Sequence, residues 1–481
     1  MPSEPAILCE PPMTITVASS DYTTTTQTPY SELVAKYTTQ GPRYTSYPSA
    51  LQFKQEFTDT NYRQHLDQAG NYAAPLSLYV HIPFCRWLCY YCGCNKIVTK
   101  NPNATRQYLD HLAIEIELLS KHICAPRKVS QLHFGGGTPT YLDDAELTEL
   151  IHLLASHFNF EDSQQREYSI EIDPRTVDDR RLALLRGLGF NRLSFGIQDT
   201  DPQVQKAINR VQRTEQIFQL VDAARALRFN SISFDLIYGL PLQSCETLDR
   251  SLDDVIALQP DRISLYNYAH LPEHFPPQRA IERHTLPSSD EKLAMILLAN
   301  KRLSEAGYIY IGMDHFVRPT DELARCQKEG RLQRNFQGYS TRLAPDVLGI
   351  GVSAISSIGN CYAQNNKDLA SYYQKLDAGQ LPIDKGLVKT PEDELRAYVI
   401  MELACNLGVS AHAFLMKFKH SFWEKFADLL PTLREMQQDG LITISADGIV
   451  VSDVGRLMLR NVCMVFDQYL HKGTHSYSKT V

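Results

Sequence analysis

The sequence predicts an α/β fold: a partial (β/α)6 parallel barrel followed by a mostly helical, winged-helix-like C-terminal domain. Three observations predict it. Six strand-like runs alternate with helical stretches between residues 76 and 268. A polar or glycine-rich feature sits at or near the C-terminal end of each run. After residue 385 the pattern changes to helices around one short pair of strands.

Taken in order, residues 1–35 are rich in Thr, Ser and Pro, with SSDYTTTTQTPY at the centre, and read as disordered. Residues 36–75 read as a lid or linker. Within them GPRYTSYPSALQF (41–53) holds Tyr44, Tyr47, Phe53, two prolines and Arg43 in one irregular stretch. That composition suits a loop laying its aromatic residues on the surface, or a lid over a site. The catalytic domain is placed at 76–385. Its strands are read as LSLYVHI (76–82), SQLHFGG (130–136), YSIEID (168–173), RLSFGI (192–197), SISFDLI (231–237) and RISLYNY (262–268). RQYLDHLAIEIELLSKHI and DRRLALLRGLGF are among the helical stretches between them. Repeated βα units imply a parallel sheet with right-handed crossovers. The strand-end features are His81 with the cysteines beyond it, Gly135–Gly137, Glu171/Asp173, Gln198/Asp199, Asp235 and Tyr268/His270. Active sites of barrel enzymes lie at that face, because the βα loops converge there. Six coincidences favour a barrel over an open sheet.

Residues 386–481 form the C-terminal domain. Thr390–Pro391 followed by acidic residues is a helix start. LLPTLREMQQDGLITISADGIVVSDVGRLMLRNVCMVF then reads helix, strand, turn at Asp447–Gly448, strand, helix. Many winged helices bind DNA, but this segment is not basic, so it reads as a packing or lid domain.

Composition bounds the function class. Hydrophobic residues make up 43% and charged residues 21%, ordinary for a globular protein, and the net charge is −7. No basic domain stands out, which argues against nucleic acid as partner. No apolar run approaches the roughly 18 residues of a membrane span. The N-terminus lacks a cationic region, its first lysine being Lys36, so neither a secretory signal nor a transit peptide is expected. The expected compartment is the cytoplasm, whose reducing poise disfavours disulfides among the eleven cysteines. Seven of them are scattered and read as small buried hydrophobes.

The other four are clustered in HIPFCRWLCYYCGCNK (81–96), as Cys85, Cys89, Cys92 and Cys94. Zinc and iron–sulfur both use compact thiol sets. A structural zinc site usually draws pairs of ligands from two separate knuckles. Spacings of three, two and one suit a single loop around a larger object with separate corners. Three thiolates suffice where one corner stays open to a reacting partner, as at a catalytic zinc.

C-x3-C-x2-C after a strand, with Tyr91 just before the third cysteine, resembles the signature of the radical S-adenosylmethionine superfamily. SLYVHIPFCRWLCYYCGCNK, LHFGGGTPTYL, IEIDPR, NRLSFGIQD, DLIYGLPLQ, YNYAHLP, GMDHFVRP, RNFQGY and LGIGVSAIS occur in this order. Together they closely resemble the oxygen-independent coproporphyrinogen III oxidase family, from about Gly41 to about Leu470. The resemblance implies a barrel of the radical S-adenosylmethionine type. It implies a 4Fe-4S cluster on Cys85, Cys89 and Cys92, with an open iron taking the amino and carboxylate groups of S-adenosylmethionine. One electron then yields a 5′-deoxyadenosyl radical, the cofactor's own chemistry. Cys94 matches the family's extra, non-ligating cysteine, and Cys94 and Tyr79 are assigned to catalysis. Tyr79 and Tyr91 match positions flanking the first S-adenosylmethionine, although the family usually has Phe at the latter. Gly136 matches a position beside its methionine end, and Glu171 one that holds its ribose. A second S-adenosylmethionine is implied on Gly137, Thr138, Gln198, Arg210, Asp235, Ala269 and Ile355.

The residue chemistry is compatible. GGGTP fails the dinucleotide fingerprint, because Thr140 stands where the last glycine belongs. Consecutive glycines let a ligand approach the backbone and leave amides for a carboxylate, although a tight turn uses them too. Glu171 and Asp235 suit ribose hydroxyls or an amine, or equally caps and ion pairs. Arg210 offers a carboxylate two parallel bonds, which lysine cannot.

The reaction implied is oxidative decarboxylation of two propionates of coproporphyrinogen III to vinyl groups, giving protoporphyrinogen IX in haem biosynthesis. A flavodoxin- or ferredoxin-type donor is implied as reductant, and a monomer is expected. Arg43, Lys96 and Arg318 are candidate partners for the substrate's four carboxylates. Haem-binding chaperones of the superfamily share the first three cysteines but typically lack the following one and the GPRYTSYP segment, both present here. Another tetrapyrrole-acting radical enzyme is the remaining alternative.

Overall fold

The computed structural model describes residues 30–70, 74–101, 103–124, 126–342, 346–470 and 480. Six parallel strands follow the predicted positions: β1 (Leu76–Ile82), β2 (Lys128–Gly136), β3 (Glu167–Ile172), β4 (Arg192–Gln198), β5 (Ser231–Tyr238) and β6 (Arg262–Asn267). They lie in sequence order, each parallel to the next. The later strands are β7 (Ile309–Gly312), β8 (His315–Val317), β9 (Gln333–Asn335), β10 (Gly338–Ser340), β11 (Asp346–Ile350), β12 (Ile355–Ile358), β13 (Cys361–Asn365) and β14 (Ile383–Val388). β11 runs parallel to β1 on its other side, a seventh parallel strand beyond the six read from the sequence. The main sheet has the order β7-β8-β6-β5-β4-β3-β2-β1-β11-β12-β13-β14, and its ends do not pair, so the barrel is open. The hairpin β9–β10 stands apart from it.

Side-chain alternation explains how this sheet makes a site. Strands covered on both faces usually read as continuous apolar runs. Here one face is apolar and the other polar. Leu193, Phe195 and Ile197 of β4 and Ile232, Phe234 and Leu236 of β5 belong to the main hydrophobic core. Their in-between neighbours Ser194, Gly196, Gln198 and Asp235 line a cavity on the concave face. Register carries that face across the sheet, since Tyr79 pairs with His133, Glu171 with Ser194, and Gly196 with Asp235. Helices pack on the apolar side. Several open on capping boxes that satisfy otherwise orphaned amides: Asp143 with Glu146, Ser244 with Thr247, and Ser288 with Glu291.

The C-terminal unit follows the winged-helix order. Helix Pro391–Asn406 leads to β15 (Gly408–Ser410), helices Ala411–Phe418 and Leu430–Gln438, and the pair β16 (Ile442–Ser445) and β17 (Gly448–Val451). The small sheet has the order β15-β17-β16. Residues preceding the barrel complete its core. Leu33, Tyr44 and Tyr47 are buried with Val399, Leu403, Val462 and Phe466. Two expectations change here. Tyr30–Tyr37 is a helix, so the disordered reading fails for residues 30–35, while 1–29 lie outside the described residues. Tyr44 and Tyr47 are each 1% exposed, so 41–53 does not lay its aromatic residues on the surface. The Tyr44 hydroxyl donates to Asp467 at 3.0 Å, and the Gln468 amide donates to the Tyr47 hydroxyl at 3.1 Å. The reason is a partner distant in sequence: the C-terminal unit has an apolar face that this segment helps to cover, which local composition does not reveal.

A buried carboxyl ties the ends of β11 and β13 together. Glu115, on helix Asn103–Ser120, accepts from the Gly351 amide at 2.7 Å, from Asn365 Nδ2 at 2.6 Å and from the Tyr372 hydroxyl. Burial pushes its pKa up to about 7. The folded chain therefore holds this proton across a window, from about pH 4.5 to about pH 7, in which the unfolded chain has released it. Stability falls as pH rises through that window, by about 3 kcal/mol for the full span. Glu115→Gln is expected to flatten this part of the pH profile. Urea unfolding at about pH 5 and about pH 8 measures it, and a wild-type slope in the variant would refute the assignment.

Candidate active site

The cysteine loop is tied at both ends. Phe84–Cys85 pairs in parallel with Ile97–Val98, the Ile97 amide donating to Pro83 O at 2.7 Å and that of Thr99 to Cys85 O at 3.2 Å. The loop between is fixed from outside. The Tyr90 amide donates to Ile208 O at 3.0 Å and Asn209 Nδ2 donates to Leu88 O at 2.8 Å. Cys85, Cys89 and Cys92 thereby reach the wall of one cavity of about 310 Å3 at the C-terminal ends of β2–β5.

Each thiol has a distinct environment. Cys85 is buried, and burial pushes its pKa up to about 11, with the Thr138 hydroxyl 3.4 Å from its sulfur. Cys92 is lowered to about 6, chiefly by its contact with Cys94 and also by Lys96. The Cys89 sulfur faces two guanidinium groups, Arg210 Nη1 at 3.5 Å and Arg175 Nη2 at 3.8 Å. Cys94 lines the same cavity but is exposed, and its amide lies 3.5 Å from the Cys92 sulfur.

The opposite wall is glycine and carboxylate. Gly136 has φ +118°, and a Cβ there would lie 2.7 Å from the His81 ring; at Gly137 it would lie 2.6 Å from Pro83 O. The glycines thus bring the backbone against the cysteine loop, more than a turn alone requires. The Gly136 amide donates to Glu171 Oε2 at 3.1 Å, and His133 Nε2 is 3.3 Å from Oε1. Ser194 donates to Asp235 at 3.0 Å. Burial, with the nearby Glu171 charge, raises Asp235 to about 6. Arg210 is held by Asp173 Oδ2 at 3.1 Å and Gly196 O at 2.6 Å. Burial works against the Asp173 carboxylate, but Arg210 and Arg175 outweigh it and hold the group below its usual range.

The structure brings Cys85, Cys89, Tyr91, Cys92, Cys94, Gly136, Gly137, Thr138, Glu171, Gln198, Arg210 and Asp235 onto this one cavity. Tyr79 stands one residue back, stacked on His133 at 5.8 Å. Ala269 and Ile355 are not on its wall. The Ala269 carbonyl accepts from Gln278 at 3.2 Å, and Ile355 pairs with Gln364 between β12 and β13. Of the substrate candidates, Lys96 lines the cavity and bonds Cys92 O at 3.0 Å. Arg43 pairs with Asp314 at 3.2 Å and lies 5.5 Å over Tyr266, a cavity residue. Arg318 sits elsewhere, against Gln259 and Asp261 before the start of β6, at the far end of the barrel. Its proximity to a motif in sequence did not translate into space. Sequence reasoning assigned no role to Asp173 or Ser194. Strand alternation was the available signal, because Asp173 shares a face with Glu171, and Ser194 with Gln198.

The residues present fit the groups implied. Three thiols on one tight loop, two guanidinium groups against one sulfur, and a side-chain-free glycine run beside two carboxylates suit an anionic cluster with an amino-acid nucleoside next to it.

Comparison with known proteins agrees. Residues 79–255 match the family model "Radical SAM superfamily", and residues 390–458 match "HemN C-terminal domain". The oxygen-independent coproporphyrinogen III oxidase of Pseudomonas aeruginosa is 49% identical over 440 residues, 92% of this chain and 96% of that protein. The chain belongs to the oxygen-independent coproporphyrinogen III oxidase family. The Escherichia coli K12 member of the family is 47% identical over 441 residues, 92% of this chain and 95% of its own length. The solved structure described as coproporphyrinogen III oxidase (HemN) from Escherichia coli, a radical SAM enzyme, superposes with a TM-score of 0.87, covering 91% of this chain and 99% of that one. The family is a radical S-adenosylmethionine family, which implies a 4Fe-4S cluster and S-adenosylmethionine.

Proposed function

We propose that this protein carries out the family reaction: oxidative decarboxylation of two propionates of coproporphyrinogen III to vinyl groups, giving protoporphyrinogen IX without oxygen. The observation that carries the reading is the meeting of Cys85, Cys89 and Cys92 with Gly136, Glu171 and Asp235 on one cavity. The three cysteines would hold the cluster. When bound, the cluster and S-adenosylmethionine would supply abstraction of a hydrogen atom from a propionate β-carbon; loss of carbon dioxide and passage of one electron to a one-electron acceptor would then leave the vinyl group. Glu171, already bonded to the Gly136 amide, would also accept from ribose hydroxyls. Asp235, Gln198 and Arg210 line the same cavity and would contact a second S-adenosylmethionine. The Arg210 guanidinium is already engaged by Asp173, so it would share its donors with a cofactor carboxylate. Tyr91 walls the site.

Lys96 and Arg43 are the cations at hand for substrate carboxylates, and Ala substitution of either should raise KM. Arg43 also supports a covering role for 41–53, which runs from the C-terminal core to Tyr266. Buried free thiols at Cys326, Cys361, Cys405 and Cys463 fit a cytoplasmic, reducing compartment. Among the described residues no helix is long and apolar enough to cross a membrane. The reading includes a monomer that takes its electron from a flavodoxin- or ferredoxin-type donor.

The test is anoxic purification, iron and sulfide assay, then reductant, S-adenosylmethionine and coproporphyrinogen III. The expected result is a brown protein that makes 5′-deoxyadenosine and the divinyl product. A colourless protein, or a cluster protein giving no vinyl product, would sink the proposal.

A further inference from the structure

A tetracarboxylate whose propionates react near the cysteine loop must have its other carboxylates held elsewhere. The concave face continues below the site. A cavity of about 180 Å3 shares Glu171, Ser194, Asp235 and Tyr266 with the site cavity. Next to it lies another of about 220 Å3, and Asn335 of the hairpin β9–β10 lines both. Arg334, the preceding residue, lines the latter.

Most cations on these walls are engaged. Arg192 pairs with Glu167 and Glu322, Arg262 with Asp321, and Arg342 bonds Gln165. Arg334 differs. Its guanidinium stacks 4.6 Å over the Tyr339 ring, yet its Nε and Nη1 are buried without a hydrogen-bond partner. Among the described residues no carboxylate pairs with it. Two charged donors kept from water and left unpartnered are costly, and a guanidinium is shaped to receive a carboxylate through two parallel bonds. The position also connects to the site. The Tyr266 ring meets His315 at 6.1 Å, His315 meets Tyr339 at 5.1 Å, and Tyr339 carries Arg334. Tyr339 is itself anchored by its hydroxyl to Ala404 O at 2.8 Å.

We propose that Arg334 is a substrate-binding residue that receives a non-reacting propionate of the porphyrinogen while another lies at the cysteine loop. This inference rests on the function proposed above.

The test uses the full chain, purified without oxygen, as wild type, Arg334→Gln and Arg334→Lys. Three quantities are read: binding of oxidised coproporphyrin III by fluorescence, KM and kcat with coproporphyrinogen III, and S-adenosylmethionine cleavage with reductant alone. Arg334→Gln is expected to weaken porphyrin binding on the order of ten- to hundredfold, the loss of a charged hydrogen bond. KM should rise with kcat little changed, because a non-reacting group binds ground and transition states alike. Cleavage without porphyrinogen should stay at the wild-type level. Arg334→Lys keeps the charge and loses the fork, so its loss should be smaller. Affinity within about twofold of wild type in Arg334→Gln overturns the proposal, as does failure of both variants to hold a cluster, which would assign the arginine to the fold. Wild type that binds coproporphyrin but makes no vinyl product overturns the function alone. Wild type that does not bind it overturns both.

Discussion

Cys89→Ser is expected to abolish cluster assembly and all turnover, whereas Cys94→Ser keeps iron and sulfide at wild-type level and loses product formation. The two thiols are five residues apart in one loop and line one cavity, so sequence distance does not separate them. Their settings do. The Cys89 sulfur is buried, with the guanidinium groups of Arg210 and Arg175 at 3.5 and 3.8 Å, partners suited to a negative ligand sulfur. Cys94 is exposed and faces open cavity. Removing one of the three proposed ligands would leave an iron corner unheld, and no described neighbour supplies a replacement thiol except Cys94. Iron and sulfide analysis with the low-temperature spin-resonance signal of the reduced cluster checks both variants. Loss of iron in Cys94→Ser would return that residue to the ligand set. Full iron in Cys89→Ser would mean that Cys94 substitutes for it.

Asp173→Asn is expected to cost about 3–5 kcal/mol of stability, the usual penalty for removing one partner of a buried ion pair. Asp173 sits behind the cysteine loop, where it receives Arg175 at 2.6 Å and Arg210 at 3.1 Å. Both guanidinium groups also face Cys89, so one carboxylate fixes the cationic wall against that sulfur. The asparagine leaves two positive charges with a neutral amide between them. Urea unfolding of wild type and variant measures the loss, and a difference below about 1 kcal/mol would show that water reaches the pair. The double variant Asp173→Asn/Arg210→Met should recover part of the stability, since an apolar isostere restores the charge balance.

The six parallel strands were legible because their apolar positions are local and recur every second residue. The same alternation, followed across register, marks Ser194, Gly196 and Asp173 as neighbours of Gln198, Asp235 and Glu171 on the concave face. The cysteine spacing and the glycine run were also legible, since a loop that must wrap a bulky group has to carry its ligands within a few residues.

What the sequence by itself determined is therefore what depends on nearest neighbours along the chain: the positions of the six strands, the winged-helix sequence of elements, and the thiol set. Long-range packing decided the rest. Tyr44 and Tyr47 are buried only because an apolar C-terminal core lies within reach, and the helix Tyr30–Tyr37 places Leu33 in that core. Arg43 entered the site region and Arg318 did not, although both lie in or near motifs, because Arg43 lies over Tyr266, whereas Arg318 follows β8, which runs antiparallel to β6 and ends beside its start. Arg334 became a candidate only when the hairpin β9–β10 closed against the concave face and left its donors without acceptors. An arginine's partner, or its lack of one, is set by residues far away in sequence, and only the folded chain brings them together.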